Sequence, residues 1–209
     1  MSKPIEDLQT LAPGLRAYFA AEDRASEKAL RSCRQVIRYS SAAVRAVHRQ
    51  EQDEARQLLD SAGELLREID GDLAEHERLL HAGFVHDAQK EFAEGCITLA
   101  LICEKALPGP ETLGISNASY LDGLGESVGE LRRYILDSLR REDLSRCEEM
   151  LTVMDAIYGV LLTMDFPELL AHGLRHTTDT IRGVIERTRG DLTVSLRQRK
   201  LKARLNDLG

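Results

Sequence analysis

Tryptophan is absent from the 209 residues, aromatic residues make up only 4% of them, and Gly and Pro number 15 and 5. The aromatic strands and closely spaced turns from which sandwiches and barrels are built are therefore missing. No segment alternates apolar and polar residues with period two over a useful length, which excludes an extended sheet. The four cysteines, Cys33, Cys96, Cys103 and Cys147, form no CxxC pair and follow no signal-peptide-like start. Reduced, mostly buried thiols in a cytoplasmic protein are the expectation. The longest apolar run, "CITLALIC", is far too short to span a bilayer, so no membrane role is implied. GxGxxG and P-loop patterns, internal repeats and low-complexity stretches are absent as well.

Leu, Ala, Arg and Glu dominate what is there, a helical composition, and 43% hydrophobic residues suffice for a sizeable core. After Pro13 and Gly14 a helical period runs through Ala25, Leu30, Cys33, Ile37, Ala43, Val44 and Val47. A second runs through Leu58, Leu59, Leu65, Leu66 and Ile69, weakening at Gly71. A third becomes more apolar toward its end, stops at Pro108-Gly109-Pro110 and reads as the central helix. Residues 108–118 form the one clear loop. The next helix carries Leu121, Leu124, Val128, Leu131, Ile135 and Leu139 at helical spacing despite Gly123, Gly125 and Gly129, and glycines at that density predict close helix–helix approach. A further helix spans "EDLSRCEEMLTVMDAIYGVLLTMDF", and Pro167 breaks into a long last one. The reading is all-α, with residues 1–209 forming a single domain of about seven helices.

The net charge of -7 argues against a general polyanion binder, but it hides an asymmetry. Residues 171–209 carry nine Lys/Arg against four acids, leaving -12 on residues 1–170. A phosphate-binding face and a solvated, salt-bridged final helix fit that basic end equally well.

Glu91 and Glu94 in "KEFAEG" lie at i,i+3 and project from one helix face; Glu126 and Glu130 in "GESVGEL" lie at i,i+4 on another. If the two helices are antiparallel neighbours, three or four carboxylates converge as hard oxygen ligands for Mg²⁺ or Mn²⁺. From pattern alone, a solvated helix edge is the commoner outcome. His172 and His176 have zinc spacing, but "HGLRH" lacks the HExxH glutamate and no third ligand is near. His48, His76, His81 and His86 read as surface or helix-end residues, with His81 and His86 close enough to the acidic pair to meet a phosphate.

The segments "EKALRSCRQVIRYSSAAVRAVHR", "GFVHDAQKEFAEG", "YLDGLGESVGELRRYILDSLRRED" and "ERTRGDL" together resemble the translin/Trax family in its compact prokaryotic, chiefly archaeal, form. The resemblance covers nearly the whole chain and its fragments fall in the family's order. It implies a fold of seven helices and assembly into closed, hollow homo-oligomers, commonly octamers, that enclose RNA or single-stranded DNA. It also implies that this chain is of the Trax type, a metal-dependent endoribonuclease. The Trax pattern is E-x-x-E on the central helix and an acid four residues before a Glu on the next. Translin has an apolar residue where Glu126 stands and lacks the paired glutamates.

By that resemblance Glu91, Glu94 and Glu126 are the catalytic acids and bind Mg²⁺ or Mn²⁺, with Glu130 as a further ligand or a partner behind them. His86, Lys90, Arg132 and Arg133 are the nearest candidates for holding the nucleic-acid backbone. In animal Trax the third acid is usually Asp, and Glu126 is one methylene longer. The long inserted loop and nuclear-targeting tail of eukaryotic Trax are missing, which agrees with a small cytoplasmic form. The alternative of another class is a translin-like oligomer that binds single-stranded DNA or RNA without cutting it; four acids facing a polyanion would oppose binding in such a protein.

Overall fold

The computed structural model describes residues 3–164, 166 and 174–206. Among these residues there are eight helices and no strand. Helix α1 (Lys3–His48) and α2 (Gln52–Asp72) form an antiparallel hairpin. The chain reverses between them at Gln50, whose φ of 66° lies in the left-handed region. At the far end Lys28 meets Asp72 at 2.6 Å, and His76 meets Glu22 at 2.5 Å.

The one-turn α3 (Glu77–Leu80) leads into α4 (Gly83–Ile102). A second single turn, α5 (Pro110–Leu113), lies inside the segment expected to be plain loop. Pro110 suits its first position, where no intrahelical N–H is required, and Gly114 ends it with a left-handed φ of 67°. Helix α6 (Asn117–Arg140) starts on Ser116, whose side chain accepts a hydrogen bond from the Ser119 amide. Then come α7 (Cys147–Leu162) and α8 (Leu174–Asn206). Six of the eight are longer than one turn, and α3 and α5 are single turns, so the count brackets the expected seven.

Helix α4 divides the interior. One face, with Val85, Ala88, Phe92 and Leu99, joins the α1–α2 core; another, with Ala93 and Ile97, joins the core shared by α6, α7 and α8. An apolar sequence on more than one side is what such a central helix requires. On α6, Leu124, Val128, Leu131 and Ile135 are all buried, each contributing about 1.5–3 kcal/mol by removal from water.

Two expectations are corrected. Helix α1 does not begin after Pro13 but at Lys3, with Pro13 inside it. Proline removes one helical hydrogen bond, and this part of α1 is exposed, so water can satisfy the carbonyl left free. Close approach also holds for only two of the three α6 glycines. A Cβ on Gly123 would meet Ala93 at 2.6 Å and one on Gly125 would meet Thr177 at 2.6 Å, whereas Gly129 has nothing within 4 Å. The break expected at Pro167, and His172 of "HGLRH", lie outside the described residues.

Candidate metal centre and nucleic-acid interface

The site is built on the α4–α6 contact, and these helices run in the same direction rather than antiparallel. His86 pairs with Asp122 at 2.9 Å and, one turn on, Lys90 pairs with Glu126 at 2.8 Å. Both helices therefore climb together, the chain having returned through residues 103–116 to start α6 beside the start of α4. Gly123 permits the approach: a side chain there would lie 2.7 Å from the Lys90 carbonyl oxygen and 2.9 Å from the Glu94 amide nitrogen.

At this crossing Glu91, Glu94 and Glu126 each offer a carboxylate oxygen, all within 4.8 Å of one another. Burial, followed by the charges of Glu126, Glu91 and Glu130, pushes the Glu94 carboxyl up to about 8. Glu91 is raised for the same kinds of reason, burial first and Glu126 next. The acids are thus held closer than their mutual repulsion favours. Three convergent oxygen donors with excess negative charge are the donor set a hard divalent cation takes.

Glu130 is turned elsewhere. Its carboxylate lies 2.5 Å from His48 Nε2 and 3.5 Å from Arg133, and its pKa is lowered, chiefly by the His48 hydrogen bond. His48, expected at the surface, has only 4% of its side chain exposed: it ends a helix that packs on α2 and α4, and its ring reaches Glu130 of α6.

The candidate phosphate-binding residues are distributed as follows. Lys90 sits on Glu126 with 22% of its side chain exposed. Burial is the largest influence on its pKa and lowers it, but the hydrogen bond to Glu126 and the charges of Glu126, Glu91 and Asp87 together outweigh burial and leave it raised. His86 is held between Asp122 and the Ser119 hydroxyl, the latter 3.0 Å from Nδ1. Arg132 spans to α8, donating to Thr188 and pairing with Asp191, each at 2.9 Å. Arg133 is half-exposed beside Glu130. Sequence reasoning passed over Asp122. A signal was available, since His86, Lys90 and Glu94 on α4 and Asp122, Glu126 and Glu130 on α6 share the same i, i+4, i+8 spacing.

The chain is 26% identical over 190 residues to an uncharacterised protein of Methanocaldococcus jannaschii, covering 90% of this chain and 84% of that one. No protein-family model matches it. Among solved structures it is similar to AfC3PO, at 30% identity and a TM-score of 0.77, over 94% of this chain and 98% of that one. AfC3PO has also been solved in complex with duplex RNA, and that chain matches at 31% identity, with a TM-score of 0.75 and the same coverage. The chain belongs to the translin/Trax family. A further translin/Trax likeness, to apo-NeC3PO, has a TM-score of 0.79 at 16% identity over 88% of this chain and 96% of that one, and bears on the fold alone. Within this translin/Trax chain, the three acids at the Trax-pattern positions are the ones whose oxygens converge. No helix among the described residues is long and apolar enough to cross a membrane.

Proposed function

We propose that this translin/Trax chain is an RNA-binding, metal-dependent endoribonuclease that acts inside a homo-oligomeric shell, with Glu91, Glu94 and Glu126 as its metal-holding acids. The observation that carries the reading is the convergence of those three carboxylates to within 4.8 Å at a crossing that Gly123 keeps tight. RNA as substrate class is supported by the relative solved with duplex RNA.

The donor set fits Mg²⁺ or Mn²⁺, since carboxylate oxygens are their preferred ligands and few protein ligands leave positions open for water and phosphate. When bound, such an ion supplies an activated water and neutralises charge on the phosphorus under attack. The chain's own residues do the rest. Gly123 sets the spacing of α4 and α6. His48 keeps Glu130 behind the cluster. Arg133, half-exposed at its rim, meets the phosphate backbone without reading bases, so binding is sequence-tolerant and weakens steeply with salt.

The shell is supported by a second feature. Leu8, Leu11, Leu15, Tyr18 and Phe19, on the overhanging start of α1, are each more than half exposed. An apolar helix face of that extent calls for a partner, and another copy of the chain is the proposed one.

The test is incubation of labelled single-stranded and duplex RNA with the protein and Mn²⁺, with and without EDTA, beside Glu91→Ala and Glu126→Ala. Cleavage that needs Mn²⁺ and vanishes in both variants is expected. Binding without cutting would leave the rival reading, a translin-like binder of single-stranded DNA or RNA, and variants that cut as well as the parent would overturn the assignment of these acids.

A further inference from the structure

Lys90 occupies an unusual place. Its ammonium is not on the open rim but against Glu126, 2.8 Å from Oε1, and Glu126 is one of the three converging acids. It comes from the same helix as the other two, next to Glu91 and one turn before Glu94. The remaining basic side chains nearby are committed differently: His48 and Arg133 to Glu130, Arg132 to Thr188 and Asp191, His86 to Asp122 and Ser119. Lys90 is thus the one of these side chains that supplies positive charge directly to the cluster.

We infer that Lys90 is the resident counter-ion of the acidic cluster: it neutralises Glu126 while no divalent cation is held, is displaced when one binds, and then turns its ammonium to an RNA phosphate. The inference rests on the proposed metal site and deepens it. It follows from charge and reach. An ion held by these oxygens would share Glu126 with the ammonium, which lies 2.8 Å from its Oε1, and so would bring a 2+ charge close to it. Like charges held that close repel, and a doubly charged ion doubles the repulsion that a single charge would exert. Lys90 has the means to leave, being a flexible four-carbon stem with 22% of its side chain in solvent.

Two consequences follow by linkage. Lys90 competes with the metal for Glu126, so it weakens metal affinity in the free protein. A polyanion that draws the ammonium away relieves that competition, so metal and RNA strengthen each other's binding by the same factor.

The experiment is calorimetric titration of the full-length protein with Mn²⁺ alone, comparing the parent with Lys90→Met and Lys90→Arg, each checked for native helicity and melting. Lys90→Met is expected to bind Mn²⁺ about three- to tenfold more tightly than the parent, since the competing charge is gone. Lys90→Arg, which keeps the charge, stays near the parent. In parallel, fluorescence anisotropy with a 2′-O-methyl RNA oligonucleotide shows Mn²⁺ tightening RNA binding in the parent and much less in Lys90→Met. A parent that takes up no Mn²⁺ overturns the metal site itself. A parent that binds Mn²⁺ while Lys90→Met binds it equally or more weakly leaves the metal site standing and overturns the role given to Lys90.

Discussion

His48, near the end of α1, holds Glu130 of α6 at 2.5 Å from its Nε2. The pair couples the first hairpin to the helix that carries Glu126, and it withdraws the fourth acid from the cluster. His48→Ala leaves a part-buried carboxylate with Arg133 as its remaining basic partner among the described residues and opens a cavity at the end of α1. A loss of about 2–4 kcal/mol in urea denaturation at neutral pH is expected. The lowered pKa of Glu130 gives this a pH signature. Its stabilising contribution is present above the ordinary value of 4.5 and is lost as pH falls through the lower folded value, so the variant should show a shallower acid transition than the parent.

Glu94 titrates in the opposite sense. Its folded pKa of about 8 lies above the ordinary 4.5, so between those values the folded chain holds a proton that the unfolded chain has released. Stability of the metal-free protein therefore falls as pH rises from 4.5 through 8, by an amount on the order of a few kcal/mol. Glu94→Gln removes the ionisation. Denaturation at pH 5 and pH 9 in EDTA should show the parent weakening with pH and Glu94→Gln nearly level; a parent that is equally stable at both would contradict the burial of this carboxyl.

Gly123 and Gly129, both on α6, offer a matched comparison. Gly123→Ala forces a Cβ to 2.7 Å from a backbone oxygen and 2.9 Å from a backbone nitrogen, neither of which is the movable end of a side chain. It should cost about 1–3 kcal/mol and spread the acidic cluster, lowering Mn²⁺ affinity. Gly129→Ala meets nothing within 4 Å and replaces a poor helix former by the best, so a gain of up to about 1 kcal/mol is expected from thermal denaturation.

The same two glycines mark how far sequence alone reaches. Periodicity located Leu124, Val128, Leu131 and Ile135 on the buried face because burial of a helix stripe follows the 3.6-residue turn. It could not tell Gly123 from Gly129, since which glycine meets a neighbour depends on where two helices cross. The direction of α4 against α6 was equally out of reach: antiparallel packing is the usual guess for successive helices, and only the path of residues 103–116 brings α6 back to run alongside α4. Glu91, Glu94 and Glu126 were legible through spacing and family resemblance together. The partner of Glu130 was not, for His48 lies 82 residues away and its burial is set by α1 packing, not by its own segment. Pro13 misled because its local rule was read without its exposure.

The overhang of α1 yields the last prediction. Leu11 and Leu15 are 60% and 58% exposed, in line with Leu8 and Tyr18 at helical spacing, and none of them belongs to either core cluster. Changing Leu11 and Leu15 together to Glu should therefore leave helicity and the unfolding midpoint of the isolated chain nearly unchanged, since surface substitutions away from packed features usually stay within about 0.5 kcal/mol. If the stripe is where copies meet, light scattering coupled to size exclusion should find the parent at a multiple of 23.4 kDa and the double variant at a smaller multiple or at the single-chain mass. Each apolar side chain removed from water at a protein contact is worth roughly 1.5–3 kcal/mol, and two inserted carboxylates facing their copies add repulsion, so the shift in association is large enough to read at micromolar protein. A parent that runs as a single chain, or a double variant that assembles as fully as the parent, would mean that the copies do not meet through this face.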